Sequence, residues 1–136
     1  LPYRPKIIVL YAGDNDVAAG KSPHRVLADF QQFVKTVHDT LPDTRIVFIA
    51  IKPSLRRWQL VDTMRKANGL IRAVTEKDDR LAYVDVDKPT IGEDKKPRKE
   101  LFKADGLHLN AEGYKLWSSL VLPHLTLDEQ QGPAEQ

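Results

Sequence analysis

Residues 4–16 read RPKIIVLYAGDND, a continuous aliphatic run that ends in a polar turn. Because the run does not alternate with polar residues, residues 4–12 predict a strand that is buried on both faces. Residues 45–51, RIVFIAI, repeat this pattern and predict a second buried strand. Residues 81–86, LAYVDV, are less uniformly apolar and predict a third strand, nearer the edge of a sheet.

Helical patterns separate and follow these strands. Ser22 and Pro23 form an N-cap with proline in the first helical position, and this helix is expected to end at residues 41–43. A second helix is expected over residues 55–74, with a kink or stop near Gly69. Asn110 is predicted to cap a third helix. The residues of this helix that are expected to face inward are Tyr114, Trp117, Leu120 and Val121. The alternation predicts an α/β fold with a parallel sheet of about three strands and flanking helices.

Composition restricts the function classes. The 136 residues contain no cysteine, which excludes disulfides, thiolate metal sites and a cysteine nucleophile. Lys and Arg total 21 against 19 for Asp and Glu, so charge gives no indication of nucleic-acid binding, and the mixed-sign residues 93–100 are interpreted as a solvated loop. The longest apolar runs are far shorter than the roughly 20 residues of a membrane-spanning helix. The sequence predicts a domain without a membrane span.

The turn after the first strand is a candidate site. In open α/β sheets, ligands bind beyond the carboxyl ends of the strands, which is where residues 13–16 are expected to lie. Gly13 permits a sharp turn, and the amide of Asn15 could donate hydrogen bonds into a crevice, as an oxyanion site requires. The alternative is that Asp14, Asn15 and Asp16 only satisfy the backbone of the turn, which is the commoner role of such residues.

A second candidate turn follows the third strand and its charged loop. Asp105 stands three positions before His108, so its carboxylate could accept the Nδ1–H of the imidazole and leave Nε2 as a general base. The alternative is a surface loop with an incidental histidine. Metal binding is disfavoured, because one histidine and one carboxylate fall short of the usual three or four ligands.

Both turns resemble sequence blocks of the SGNH hydrolases, the GDSL-type esterases and lipases. GDND at residues 13–16 is similar to their G-x-N-D block, and DGLHLNAEGY at residues 105–114 is similar to their D-x-x-H block. The blocks stand in the order and strand context of the family, and the resemblance extends over almost the whole chain. It implies a truncated flavodoxin-like three-layer sandwich, with residues 1–126 as a partial SGNH domain and residues 127–136 as a polar tail.

The resemblance also implies roles for individual residues. Asn15 would donate its amide to an oxyanion, His108 would act as the general base, and Asp105 would orient the imidazole. The residues implied to line the substrate site are Gly13, Asp14 and Asp16. The implied substrate is a small-molecule carboxylic ester, hydrolysed without a cofactor or a metal ion.

The chain departs from the family in its nucleophile. The family's serine lies in a block on an earlier strand, a glycine of a second block also serves the oxyanion hole, and neither block occurs in these 136 residues. Of the four serines present, Ser22 is the candidate substitute nucleophile, although its position favours helix capping. The predicted function is a slow esterase that uses water or a serine supplied in trans. The alternatives are a non-catalytic remnant that binds an acyl or sugar ester, and a fragment of a full-length esterase.

The absent strand has a structural consequence. Residues 6–11 would form an exposed apolar edge with unpaired N–H and C=O groups, and such an edge tends to pair with another chain. The sequence therefore predicts a homo-oligomer. The chain begins with Leu1 and shows no signal-peptide pattern, which leaves the compartment open.

Overall fold

The computed structural model describes residues 5–125, so the predicted polar tail at residues 127–136 lies outside the described residues. Three strands form one parallel sheet: β1 (Ile7–Tyr11), β2 (Arg45–Ile49) and β3 (Leu81–Val84), in the order β1-β2-β3. In this register Val9 lies opposite Val47, and Val47 lies opposite Ala82. The predicted parallel sheet of about three strands is confirmed.

Within residues 5–125 five α-helices accompany the sheet: α1 (Asp14–Ala18), α2 (Pro23–Thr40), α3 (Val61–Thr75), α4 (Asp87–Thr90) and α5 (Ala111–Val121). Helices α2 and α3 cover one face, where Phe30, Phe48 and Ile71 form part of a buried core. Helix α5 covers the other face, where Trp117 packs against a core that includes Val47. The layers are therefore helix, sheet and helix, as the α/β prediction requires. None of the helices within residues 5–125 is long and apolar enough to cross a bilayer.

The burial of β1 differs from the prediction. Residues 4–12 are predicted to be buried on both faces, yet Val9 is 42% exposed and the rest of β1 is half-buried. The reason is its position, because β2 takes the centre of the sheet and β1 lies at an edge with no further strand beside it within the described residues. β3 forms the other edge, which agrees with its less apolar sequence.

The second predicted helix begins later than its apolar pattern indicates. Residues 50–57 continue beyond β2 as an irregular segment, a 3₁₀ turn follows at Trp58–Leu60, and α3 starts only at Val61. The chain turns here because Ser54 is fully buried and its Oγ accepts a hydrogen bond from the backbone N–H of Arg57 at 3.1 Å. Gly69 lies inside α3, which runs through it without a break.

The last helix and its preceding loop also differ from the prediction. Tyr114 is 55% exposed and does not face inward, because the first turn of α5 packs through Gly113 against the backbone of Leu101. The charged loop at residues 87–103 contains α4, an antiparallel bridge between Ile91 and Pro97, and a 3₁₀ turn at Lys99–Leu101. This ordered loop leads directly into the turn that carries His108.

Candidate active site

The turn after β1 is sharp because Gly13 adopts a left-handed backbone conformation. Its φ is 114°, and a Cβ atom there would approach Ile51 Cδ1 to 2.8 Å. Only glycine meets both conditions without strain. The residues after it, Asp14, Asn15 and Asp16, form the first turn of α1, where the sequence predicted only a turn.

Asp14 points into the protein. Its carboxylate accepts hydrogen bonds from Lys52 Nζ at 3.1 Å, from Arg57 Nη1 at 2.7 Å and from the Tyr11 hydroxyl at 3.1 Å. Burial alone would raise the pKa of Asp14, but the two cations and the hydrogen bonds outweigh it and hold the pKa below its usual range. Burial, and then the Asp14 charge, raise the pKa of Tyr11 far above its usual value, so Tyr11 remains a neutral donor. This arrangement favours a structural contribution of Asp14 over contact with a substrate.

Asn15 and Asp16 lie nearer the surface. Asn15 is exposed, and its Oδ1 accepts a hydrogen bond from Arg57 Nη1 at 3.1 Å. Asp16 is half-buried and lies 3.5 Å from Lys21 Nζ in an ion pair. An apolar cavity of about 190 Å³ opens beside this turn. Its lining includes Leu10, Gly13, Asp16, Phe30, Phe33 and Phe48.

Asp105 and His108 meet within one tight turn. His108 Nδ1 lies 2.6 Å from Asp105 Oδ2, and Asp105 Oδ1 accepts the backbone N–H groups of Leu107 and His108 at 2.9 and 3.0 Å. These hydrogen bonds hold the pKa of Asp105 well below its usual range, and the bond to the imidazole of His108 makes the largest contribution. The His108 side chain is 65% exposed, and its Nε2 atom makes no hydrogen bond to the described residues. The imidazole is therefore oriented by a carboxylate and open on its other nitrogen.

The backbone around this turn is fixed from both sides. Lys103 N donates to the His108 carbonyl at 2.8 Å, and Phe102 and Leu109 form an antiparallel bridge. Asn110 caps α5 through the N–H of Gly113 at 3.0 Å, and its Nδ2 donates to the carbonyl groups of residues 100 and 102. The predicted cap at Asn110 is therefore present, and it anchors the histidine turn to the loop before it.

One segment touches both turns. The backbone N–H of Arg56 donates to the Gly106 carbonyl at 3.0 Å, and the side chain of the next residue, Arg57, reaches Asn15. Within the described residues no hydrogen bond joins Asn15 to His108 directly. The two predicted turns are therefore neighbours across residues 56–57, at the carboxyl end of the sheet.

The serines have other local roles. Ser22 is the N-cap of α2, where its Oγ accepts the N–H of Arg25 at 3.1 Å, and no hydrogen bond joins it to His108 within residues 5–125. Ser54 is buried, and Ser119 donates to the Leu116 carbonyl within α5. In the same part of the chain, no group of three or more His, Asp or Glu residues is arranged to hold a metal ion.

Sequence reasoning missed the cations of the site. It interpreted Arg57 as part of an ordinary helix turn, whereas the residue precedes the 3₁₀ turn and binds Asp14 and Asn15. The sequence analysis also did not identify Lys52 as a site residue, although its position in the sequence indicates one. It follows the buried strand β2 directly, and the carboxyl ends of parallel strands meet at one edge of a sheet.

Comparison with known proteins agrees with this fold. A structure from Streptococcus pneumonia, provisionally described as a platelet activating factor, has a TM-score of 0.78 and 22% identity, with coverage of 88% of this chain and 59% of that one. The OSK domain of Drosophila Oskar has a TM-score of 0.76 and 20% identity, covering 90% and 63%. A GDSL-like lipase from Bacteroides thetaiotaomicron has a TM-score of 0.71 and 21% identity, covering 89% and 62%.

The chain thus spans about three fifths of the length of these solved structures. No curated protein matches it in sequence. Residues 1–116, however, match the model of the GDSL-like lipase/acylhydrolase family, which is most of the chain. Together with the α/β fold, this match shows that the chain belongs to the GDSL-like lipase/acylhydrolase family.

Proposed function

We propose that the chain is a carboxylic-ester hydrolase in which His108 is the general base, Asp105 orients it and Asn15 donates to the oxyanion. The observation that carries this assignment is the 2.6 Å contact between His108 Nδ1 and Asp105 Oδ2, with Nε2 left open. The family to which the chain belongs is one of lipases and acylhydrolases, and this supports an ester as substrate. Gly13 and Asp16 border the proposed substrate site, with Asp14 behind them.

Water is the proposed nucleophile when no serine is supplied. His108 Nε2 takes a proton from water, and the hydroxide forms a bond to the ester carbonyl carbon. The carbonyl oxygen becomes an oxyanion, which the Nδ2–H of Asn15 stabilises. The C–O bond to the alcohol then breaks, the imidazolium returns its proton to the departing oxygen, and the products are a carboxylic acid and an alcohol.

The magnitudes favour a slow reaction. A positioned general base contributes about 10²–10⁴-fold, and one oxyanion donor contributes about 10²–10³-fold. Without a covalent acyl intermediate, these factors suit activated or short-chain esters. A serine supplied by another chain would add the missing nucleophile and a faster route.

The direct test is hydrolysis of p-nitrophenyl acetate by the purified chain. We expect activity above the buffer rate, with a loss of at least about tenfold in His108→Ala and in Asn15→Ala. His24→Ala is the matched control, because His24 is an exposed histidine outside the site and exposed imidazoles can hydrolyse this ester unspecifically. Circular dichroism of each variant checks that the fold is retained.

Unchanged activity in both site variants, or an equal loss in His24→Ala, would remove the proposed site. A chain that binds short esters without any His108-dependent turnover would instead be the non-catalytic alternative. A fluorophosphonate probe tests Ser22 separately. A mass increase that disappears in Ser22→Ala would identify this serine as the nucleophile, and its absence would support the water route.

A further inference from the structure

Arg57 joins the buried ion-pair cluster to the proposed oxyanion donor. One nitrogen, Nη1, donates to Asp14 Oδ1 at 2.7 Å and to Asn15 Oδ1 at 3.1 Å. Arg57 is itself only 20% exposed, and Asp14 is 10% exposed, so the contact lies largely out of water. Such shielding strengthens the contact between Arg57 and Asp14 relative to an exposed pair, and the hydrogen bond to Asn15 extends from this anchored guanidinium to the exposed surface.

The chemistry of the guanidinium decides which way the Asn15 amide points. Arginine has only donors, so the atom of Asn15 that faces Nη1 has to be the carbonyl oxygen. The amide nitrogen is then directed away from Arg57, and Nδ2 makes no hydrogen bond to the described residues. An asparagine without such a partner could rotate by half a turn and present its oxygen, which would repel an oxyanion.

The position of Arg57 is fixed independently of Asn15. Its backbone N–H is bound to the buried Ser54 Oγ, and its charge is held by Asp14. Lys52 and Tyr11 hold Asp14 from the other side, each at 3.1 Å. The cluster of Tyr11, Asp14, Lys52 and Arg57 therefore forms a rigid support on one side of Asn15.

We propose that Arg57 is a positioning residue, which locks the side chain of Asn15 with its N–H groups turned away from Arg57, so that they can donate to an oxyanion. The catalytic consequence rests on the proposed function, whereas the locking itself is a property of the folded chain. A merely structural ion pair with Asp14 would affect stability and leave the motion of the Asn15 amide unchanged. The motion of that amide therefore distinguishes the two roles.

The experiment is ¹⁵N relaxation of the Asn15 side-chain NH₂ group, assigned by its absence in Asn15→Ala. In the wild type we expect an order parameter near that of rigid backbone, about 0.85, and in Arg57→Met a fall below about 0.6. Arg56→Met is the matched control, because Arg56 is exposed and its side chain makes no hydrogen bond to the described residues. An equally rigid amide in folded Arg57→Met would overturn the positioning role.

If Arg57→Met does not fold, the wild type still tests the proposal, because a freely rotating Asn15 amide in the wild type would overturn it. Kinetics provide a second readout wherever hydrolysis depends on Asn15. If hydrolysis depends on Asn15, we expect Arg57→Met to lower kcat about tenfold with little change in KM. This loss is smaller than the roughly 10²–10³-fold effect of removing one oxyanion donor, because the amide is still present but no longer held in place. Arg57→Met combined with Asn15→Ala should be no slower than Asn15→Ala alone. Additive losses would contradict action through Asn15, and an inactive wild type with a rigid amide would remove only the proposed function.

Discussion

The side chain of Asn68 on α3 forms two hydrogen bonds with the backbone of Ile51, just beyond the end of β2. Its Oδ1 accepts the Ile51 N–H at 2.8 Å, and its Nδ2 donates to the Ile51 carbonyl at 3.0 Å. Asn68 is 4% exposed and Ile51 is 1% exposed, so no water can replace these bonds. Asn68 thus fixes the point from which residues 52–57 leave the sheet toward the candidate site.

We expect Asn68→Ala to lower the free energy of unfolding by about 2–4 kcal/mol, because it leaves one buried N–H and one buried carbonyl without partners. Urea unfolding followed by circular dichroism measures this change. Lys66→Ala is the control on the same helix, since Lys66 is exposed, and it should stay within about 0.5 kcal/mol of the wild type. Equal stability of the two variants would show that the Ile51 backbone finds other partners.

A second prediction concerns the glycine in α3 that the sequence marked as a kink. Gly69 has open space where a Cβ atom would stand and lies inside a continuous helix. We therefore expect Gly69→Ala to stabilise the fold by about 0.5–1 kcal/mol, through the lower backbone entropy of the unfolded chain. Gly113→Ala is the contrasting variant. Its Cβ would collide with the Leu101 carbonyl oxygen, so it should destabilise by about 1–3 kcal/mol. Thermal unfolding of both variants measures the two signs.

The elements that could be predicted from the sequence are those with a local pattern. β2 is an uninterrupted aliphatic run because both of its faces are covered. The N-cap Ser22, the following Pro23 and the helical spacing of the apolar residues predict α2. The two polar turns could be predicted because each matches a short family block, and the first of them also follows a strand directly. Their catalytic roles remain predictions.

The remaining features depend on contacts between distant residues. Arg57 and Asp14 are separated by 43 positions, and no local spacing reveals that they form an ion pair. The exposure of Val9 does not follow from the apolar run itself, because it depends on which strand takes the centre of the sheet. Only the absence of the family's preceding strand predicted an exposed edge at residues 6–11. Residues 55–60 illustrate a third cause. Their apolar pattern is helical, but the buried Ser54 cap and the contact with Gly106 hold the chain in an irregular path.

The Asp14 cluster predicts a specific dependence of stability on pH. Lys52 and Arg57 hold the pKa of folded Asp14 below that of the unfolded chain, which is about 3.9. The stabilisation is therefore fully present above that value and is lost as the pH falls through the folded pKa. We expect Asp14→Asn to cost about 2 kcal/mol or more at neutral pH, because the buried Lys52 loses its counter-charge.

The difference between wild type and Asp14→Asn should stay constant from pH 6 to about 4 and shrink below that, since the carboxyl of the unfolded chain is protonated first, near about 3.9, and the folded carboxyl only at a lower pH. Urea unfolding across this range measures the difference. Glu93→Gln serves as the control, because Glu93 is exposed and makes no ion pair within the described residues. A difference between wild type and Asp14→Asn that is constant over pH would mean that Asp14 stabilises the fold by packing and not by charge.

The outer edge of β1 carries the prediction of a homo-oligomer. No strand pairs with this edge within the described residues, Val9 is 42% exposed beside it, and the apolar cavity near Gly13 opens next to Leu10 of the same strand. An apolar edge with free N–H and C=O groups tends to pair with another strand, and a second copy of the chain offers an identical one.

We expect the chain to associate at micromolar concentration, with a mass by light scattering after size exclusion that exceeds that of one chain. Val9→Lys should shift it to the monomer, because a charged side chain on an edge strand opposes edge-to-edge pairing. Leu122→Lys is the matched control, since Leu122 is an even more exposed apolar residue, at 58%, beyond the end of α5. If Leu122→Lys dissociates the assembly and Val9→Lys does not, the interface lies on the α5 side. A wild type that elutes as a monomer at every concentration would contradict pairing through the β1 edge. The short length of β1, five residues, would then be the feature that prevents edge-to-edge association.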